Sequence, residues 1–218
     1  MSVAAHDLRN PIAVVRASAQ MAQRQIARGD RDAANGRLQA IVEQTDRLTE
    51  MLETFLDAAR ISDGRLALRP ERVVLREAVE LAIERARGLV SEYGNRVVTV
   101  DIPDDCIGAW DRARILRAIR SLLTNAMQYG DPDQPVRAVA VCTADRVRLT
   151  VSGGGPGPDE EESRHLFERF YRGRSAAETG QAGSGLGLYN ARGIARRHGG
   201  DVRRVEGDAF EMEIPLQA

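Results

Sequence analysis

Residues 1–60 repeat apolar side chains at helical spacing, and this pattern constrains the fold more than any other feature. The repeat falls every three or four positions over residues 1–28 and again in a second run that ends at about Arg60. Gly29 and Asp30 interrupt it, and Asp30 and Asp32 are candidate helix caps. Two long helices joined by so short a loop predict an antiparallel hairpin.

The predicted hairpin carries more apolar surface than it can bury on its own. A dimeric four-helix bundle would bury this surface. The alternative is a hairpin that packs as a cap on the rest of its own chain. Pro11 lies inside the first helix, where it predicts a kink or a missing hydrogen bond.

Residues 61–65 mark a boundary, because the pattern then changes to alternating strands and helices. We therefore predict an all-α domain over residues 1–62 and an α+β domain over residues 66–218, with a mixed sheet backed on one face by helices. The predicted helices cover 76–90, 111–129 and 186–198. The predicted extended segments cover 66–68, 73–75, 96–102, 136–143, 146–152, 201–206 and 209–215, and a polar, glycine-bearing stretch covers 153–182.

The composition argues against several classes of protein. The 31 basic and 32 acidic residues nearly cancel, whereas a nucleic-acid-binding domain would carry a basic excess. The aromatic content of 4% is too low for a platform that stacks single strands. Neither a membrane span nor a signal peptide is evident, so we expect a soluble, cytoplasmic chain. Cys106 and Cys142 lie in apolar surroundings and are expected to be reduced, partly buried thiols.

The string His6-Asp7-Leu8-Arg9-Asn10-Pro11 opens the first helix. A neutral imidazole has a lone pair that can attack phosphorus. Asp7 could fix the ring tautomer and accept the proton, and Arg9 could offset phosphate charge. His6 has barely one helical turn before it, so we expect a fragment of a longer protein. A short protein that works with a separate sensing partner is the alternative.

Two glycine runs and one amide suggest a phosphate site. Gly153–Pro158 follows a predicted strand, and Gly183–Leu188 precedes a predicted helix, whose N-terminus favours phosphate. Asn125 lies near the end of another predicted helix, where its amide could ligate Mg²⁺. Each signal is weak alone, and no dinucleotide-binding fingerprint is matched.

Together and in this order, five motifs resemble the catalytic core of a bacterial two-component sensor histidine kinase over about residues 1–215. They are the His6 string, an N box at Asn125–Tyr129, a G1 box at 151–157, an F box at 166–172 and a G2 box at 183–188. The resemblance implies a HisKA-type dimerisation and phosphoacceptor domain followed by a HATPase_c (GHKL), Bergerat-type ATP-binding sandwich.

The resemblance also implies a reaction. ATP would phosphorylate His6, with Asp7 as base, and the phosphoryl group would pass to an aspartate on a response-regulator receiver domain. Asn10 would orient a water for dephosphorylating the partner, although a merely solvated helix residue fits equally well. The implied nucleotide residues are Asn125 (also the Mg²⁺ ligand), Tyr129, Gly153, Gly155, Gly157, Arg172, Gly183, Ser184, Gly185, Leu186 and Gly187. The F box would pin a mobile lid, and Arg169 or Arg172 could reach phosphate.

Three positions depart from the family pattern at the nucleotide end. Gly153 stands where the family has an aspartate that accepts a hydrogen bond from the adenine amino group, and Ser121 and Gln128 replace an asparagine and a lysine. Loss of such an anchor predicts affinity lower by about 100-fold. A natural or engineered relative with impaired nucleotide binding, acting as a phosphotransfer protein, phosphatase or dimeric scaffold, therefore stays open. An anti-sigma-type serine kinase shares the second fold but lacks the hairpin of residues 1–60.

Overall fold

The computed structural model describes residues 3–89, 95–174 and 183–217, with side chains from Asn10 onward. The chain divides into two compact units. The first contains the chain up to Leu56, and the second begins at Asp57 and contains the sheet. None of the helices in the described ranges is long and apolar enough to cross a membrane.

The first unit contains the predicted helical hairpin. Helix α1 spans Val3–Ala27 and α2 spans Arg31–Ser62, with the final turns of α2 in the second unit. Gly29 turns the chain with φ of 77°, and the Asp30 carboxylate accepts the Ala33 N–H at 3.1 Å, which caps α2. The helix α1 continues through Pro11, which is buried. The hairpin prediction is confirmed.

One set of apolar side chains on the hairpin stays exposed. Small residues such as Ala22 and Ala34 are buried within this unit, whereas Ile12 is 55% exposed and Val42 is 53% exposed. The exposed large apolar residues in the described part of the hairpin are Ile12, Val14, Met21, Ile26, Leu38, Val42, Leu52 and Leu56. The four such residues of α2 lie on one side of that helix, so a single hairpin leaves an apolar stripe of α2 uncovered.

The second unit alternates strands and helices, as predicted. In chain order it contains β1 (Glu71–Val74), α3 (Leu75–Leu89), β2 (Val98–Asp101), β3 (Ile107–Trp110), α4 (Arg112–Tyr129), β4 (Val136–Cys142), β5 (Arg146–Ser152), α5 (Glu160–His165), α6 (Gly187–Arg197), β6 (Asp201–Arg204) and β7 (Phe210–Pro215). Five strands form a sheet in the order β2-β4-β5-β7-β6, in which β2 and β4 are parallel and the other pairs are antiparallel. Strands β1 and β3 form a separate antiparallel pair.

The core lies between one face of the five-stranded sheet and the helices α3, α4 and α6. Alternate residues of β4, β5 and β7 are buried, as expected for strands with one covered face. Helix α4 contacts both α3 and α6. Its predicted buried face is confirmed, since all five predicted side chains are buried: Ile115, Ile119, Leu122, Leu123 and Ala126.

A buried ion cluster fixes the start of α4. Asp57 is 2% exposed, and its carboxylate pairs with Arg114 at 2.5 Å and Arg117 at 2.9 Å. All three residues belong to the second unit. Because both arginines are themselves largely covered, the pairs are shielded from screening by solvent.

Several predicted boundaries are wrong. Residues 66–68 are irregular although Leu66 is fully buried, and Leu75 begins α3 rather than ending a strand. The predicted strand over 96–102 is shorter, at Val98–Asp101. Strand β3 and the short helix α5 were not predicted, because four to six residues show too little periodicity to stand out.

The prediction of two reduced thiols is also wrong. Cys106 and Cys142 form a disulfide with their Cα atoms 5.9 Å apart, which joins the segment before β3 to the end of β4. The two cysteines are 36 residues apart in sequence, and the tertiary fold alone brings them together. No local pattern could have indicated this pairing.

Candidate functional site

Helix α4 places Asn125 near its C-terminal end. The Asp111 side chain accepts the Arg114 N–H at 3.1 Å and caps the start of the helix, while the Gly130 N–H donates to the Ala126 carbonyl at its end. Asn125 is half-buried and makes no hydrogen bond with its side chain to any residue that the structure describes. Its amide is therefore not engaged by the described part of the chain, and its role as a ligand-binding group stays a prediction. Tyr129 is the last residue of the helix and is 39% exposed.

Arg96 joins three parts of the site through one guanidinium group. It lies just before β2 and donates to carbonyl groups of the end of α4, of the loop that follows, and of the glycine turn after β5. The acceptors are Ala126 at 2.9 Å, Met127 at 3.1 Å, Gln134 at 2.6 Å, Gly153 at 2.8 Å, and Asp131. The last carbonyls of a helix carry partial negative charge, so a cation stabilises them.

Gly153 lies in a space that admits no larger residue. Its N–H donates to Oδ2 of Asp208 at 2.8 Å. A Cβ atom added at position 153 would lie 2.7 Å from that oxygen and 2.8 Å from the Cα atom of Gly130, and it would also collide with the Ala126 carbonyl oxygen. This backbone therefore excludes the aspartate that the family resemblance expects at position 153.

The other two glycines of this turn are held close to backbone. Gly155 packs against the end of α4, since an added Cβ would lie 3.1 Å from the Tyr129 carbonyl oxygen and 3.2 Å from the Gly130 Cα atom. Gly157 has φ of 75°, and a Cβ there would collide with the Gly207 carbonyl group. The turn thus lies between the end of α4 and the loop that connects β6 to β7.

The second glycine run meets both the F box and α4. Gly185 has φ of 67°, and its carbonyl accepts the Phe170 N–H at 3.0 Å. Leu186 is fully buried, and Gly187 begins α6, where an added Cβ would lie 3.7 Å from the Ser121 side chain. Gly183 and Ser184 lie in the irregular segment just before.

The F box contains strained backbone. Phe170 has φ of 64°, and no other non-glycine residue in the described ranges has a positive φ. Such strain is concentrated at functional segments. The Arg169 guanidinium lies over the rings of Phe170 and Tyr189, 5.4 Å and 5.8 Å from their centres. Arg172 is half-buried two residues further on.

The predicted phosphoacceptor residues lie on α1 in the first unit. His6, Asp7 and Arg9 belong to its first turns, and their side chains lie outside the described residues, as does the part of the polar stretch over 175–182. Asn10 is exposed, as a solvated residue or one that faces a partner would be.

The buried side chain of His198 links the end of α6 to the start of α4 through two hydrogen bonds. His198 Nδ1–H donates to the Ile194 carbonyl at 2.8 Å, and Nε2 accepts the Asp111 N–H at 3.1 Å, so the ring is neutral. Burial lowers the pKa of His198, and the charge of Arg114 lowers it further. The hydrogen bond to Ile194 and the charge of Asp111 act in the opposite direction.

Two residues of the site, Arg96 and Asp208, were not predicted from the sequence. Arg96 is one of many arginines, and no motif marks it. Asp208 lies in a turn between two predicted strands, where acidic residues are ordinary. The sequence offers one indirect signal, because the expected carboxylate is missing at Gly153. Asp208 follows a glycine in the connection between the last two predicted strands and is an acidic residue that could replace it.

Comparison with known proteins identifies the class. Residues 110–218 match the sequence model of the "Histidine kinase-, DNA gyrase B-, and HSP90-like ATPase" family, and residues 1–64 match that of the "His Kinase A (phospho-acceptor) domain". The chain belongs to this ATPase family, and the two matches together confirm the resemblance to a two-component histidine kinase catalytic core and the predicted fold class.

Curated relatives are sensor kinases of greater length. The chain is 27% identical over 221 residues to the signal transduction histidine-protein kinase BaeS of Escherichia coli, covering all of this chain and 46% of that protein. It is 31% identical to the sensor protein KdpD of Mycobacterium tuberculosis, covering 26% of it, and 31% identical to the sensor histidine kinase MtrB of Mycobacterium bovis, covering 38% of it. The chain therefore spans less than half the length of these relatives.

Solved structures share the fold. The Acinetobacter baumannii histidine kinase AdeS superposes with a TM-score of 0.65 at 20% identity, covering 97% of this chain and 98% of that one. Full-length ShkA, solved in complex with AMPPNP, superposes with a TM-score of 0.61 at 19% identity, covering 85% of this chain and 38% of that one.

Proposed function

We propose that this chain uses ATP to phosphorylate His6 and then donates the phosphoryl group to an aspartate on a response-regulator receiver domain. One observation carries the proposal. Helix α4 contacts the turn at Gly153–Gly157 with its C-terminal end and the start of α6 at Ser121, in a chain that also matches a phosphoacceptor domain. This common contact with α4 supports one nucleotide site built from motifs that are far apart in sequence.

Backbone and amide groups of this site fit a nucleotide. Gly155, Gly157, Gly185 and Gly187 have no side chain of their own between the backbone and a ligand, and the start of α6 favours phosphate. In our proposal Asn125 holds Mg²⁺, because its amide is half-buried and makes no hydrogen bond to another described residue. When bound, Mg²⁺ neutralises charge on the phosphate oxygens.

The chemistry at the first unit is a phosphoryl transfer. A nitrogen of the His6 imidazole forms a bond to the γ-phosphorus of ATP while the bond from that phosphorus to the leaving oxygen breaks and ADP departs. Asp7 accepts the proton of the other ring nitrogen, and Arg9 offsets phosphate charge. A receiver-domain aspartate then takes the phosphoryl group from His6, and Asn10 orients a water for the reverse, dephosphorylating activity.

A homodimer supports this function. The exposed apolar residues of α2 form a stripe that a second copy of the hairpin would cover, as the match to a phosphoacceptor domain suggests. We place the reaction in the cytoplasm, where ATP is available.

The test is phosphorylation of His6 itself. The unmodified chain should incorporate acid-labile, alkali-stable phosphate from γ-labelled ATP, and His6→Gln should abolish the label. The matched control is His165→Gln, because His165 is an exposed histidine that pairs with Glu168 on the surface. Label that survives in His6→Gln, or an unmodified chain that binds ATP but takes up no label, would contradict the proposal.

A further inference from the structure

We propose that Asp208 provides the carboxylate that recognises the adenine base, in place of the aspartate that the family resemblance expects at position 153. This inference rests on the proposed use of ATP and names the residue that selects its base. It assigns a binding role to a residue in the loop between β6 and β7.

The position of the carboxylate is the first argument. Oδ2 of Asp208 accepts the Gly153 N–H at 2.8 Å and lies 2.7 Å from the point where a Cβ atom of residue 153 would be. The carboxylate therefore lies beside the point where the expected side chain would begin. The glycine at position 153 leaves room for it, and the acidic group approaches from the loop between β6 and β7 rather than from the turn after β5.

The surroundings of Asp208 are the second argument. Asp208 is 6% exposed, yet no cation pairs with it in the part of the chain that the structure describes. Its one hydrogen bond there is the bond from the Gly153 N–H, so the second carboxylate oxygen accepts nothing from those residues. That oxygen is not fully enclosed, so a donor from outside the protein can reach it. The exocyclic amino group of adenine is such a donor.

The chemistry predicts a specific preference. An ionised carboxylate only accepts hydrogen bonds, so it favours a purine with an amino group at carbon 6. A 6-oxo purine such as hypoxanthine presents a carbonyl oxygen there, which would face the carboxylate and repel it. The site should therefore select adenine nucleotides over inosine nucleotides, and the expected weakness caused by Gly153 should not occur.

The test is calorimetric titration of the unmodified chain with Mg·ATP and with Mg·ITP. ATP should bind more tightly by about tenfold or more, from loss of a hydrogen bond to a charged group. The variant Asp208→Asn has one acceptor oxygen instead of two, so it should lose about tenfold to a hundredfold in ATP affinity and most of the preference over ITP. The control Glu206→Gln removes an exposed carboxylate from the same loop and should change neither value.

Two outcomes would overturn the assignment of Asp208 alone: equal affinity of the unmodified chain for ATP and ITP, or unchanged ATP binding by a folded Asp208→Asn. Either leaves the kinase proposal intact, provided that His6 still becomes labelled. If the unmodified chain binds no ATP and takes up no label, both proposals fail. The ATP and ITP comparison needs no variant, so a misfolded Asp208→Asn would not obscure the result.

Discussion

Arg96 is the residue whose removal should affect the second unit most. The substitution Arg96→Met keeps much of the aliphatic stem and removes all five hydrogen bonds to carbonyl groups. Two of these carbonyls, those of Ala126 and Met127, belong to the last turn of α4, and a third, that of Gly153, belongs to the glycine turn. The Ala126 and Asp131 carbonyls keep a backbone N–H donor, whereas those of Met127, Gln134 and Gly153, in three different segments, lose the donor that Arg96 supplies.

The size of the effect follows from these contacts. Each hydrogen bond to a charged group contributes roughly 1.5–3 kcal/mol, but bonds that share one guanidinium are not additive. Each buried carbonyl that is left without a donor costs about 1–3 kcal/mol. We take about 3–4 kcal/mol, which lowers the melting temperature by roughly 6–16 °C for a chain of this size.

Thermal unfolding followed by circular dichroism measures this shift. The matched control is Arg148→Met, which removes an exposed arginine on β5 and should change stability by less than about 0.5 kcal/mol. Arg96→Lys keeps the charge but loses the planar fork, so its melting temperature should fall between the two. If Arg96→Met and Arg148→Met melt within 2 °C of each other, which is about the shift that 0.5–1 kcal/mol produces, the reasoning from the five carbonyl contacts is refuted.

Three further predictions concern single residues. Gly153→Ala should lower the free energy of unfolding by about 1–3 kcal/mol, because there is no space for the added Cβ. Gly36→Ala, in open space on α2, should raise it by up to about 1 kcal/mol. Equal urea midpoints of the two variants would contradict this. His198 has a lowered pKa, so its contribution to stability is complete above its unfolded pKa of about 6.5 and declines as the pH falls below that value towards its folded pKa. The urea midpoint should therefore fall less between pH 7.5 and 5.5 in His198→Gln than in His165→Gln, and an identical fall would refute the linkage. Val42→Asp should dissociate the proposed dimer in sedimentation experiments while Asn35→Asp, also on α2, should not; an unmodified chain that sediments as a monomer would contradict the dimer.

Local pattern predicted the helices better than the strands. Helices α1, α2 and α4 follow from apolar spacing, because a helix is built from contacts between residues three and four positions apart. Strand β3 has only four residues and pairs with β1, which lies more than thirty residues earlier. Its existence depends on that distant partner rather than on its own sequence.

The candidate site also contains some residues that the sequence predicted and others that it did not. The glycines at 157 and 185 were predicted from motif positions, and their positive φ angles show why glycine is needed there. Arg96 and Asp208 could not be predicted, because each contacts Gly153 across more than fifty residues of sequence. Only the folded chain shows that the Asp208 carboxylate lies beside Gly153, where the expected aspartate is missing.

The space between Gly153 and Asp208 also has an evolutionary consequence. An added Cβ of residue 153 would lie 2.7 Å from the Asp208 carboxylate and 2.8 Å from the Gly130 Cα atom, so an aspartate at position 153 requires both the Asp208 side chain and this backbone to move. A lineage that moves the carboxylate between the turn after β5 and the β6–β7 loop must therefore also change the backbone at the end of α4. Descendants should therefore inherit the pair as a unit: glycine at the first position and aspartate at the second should occur together.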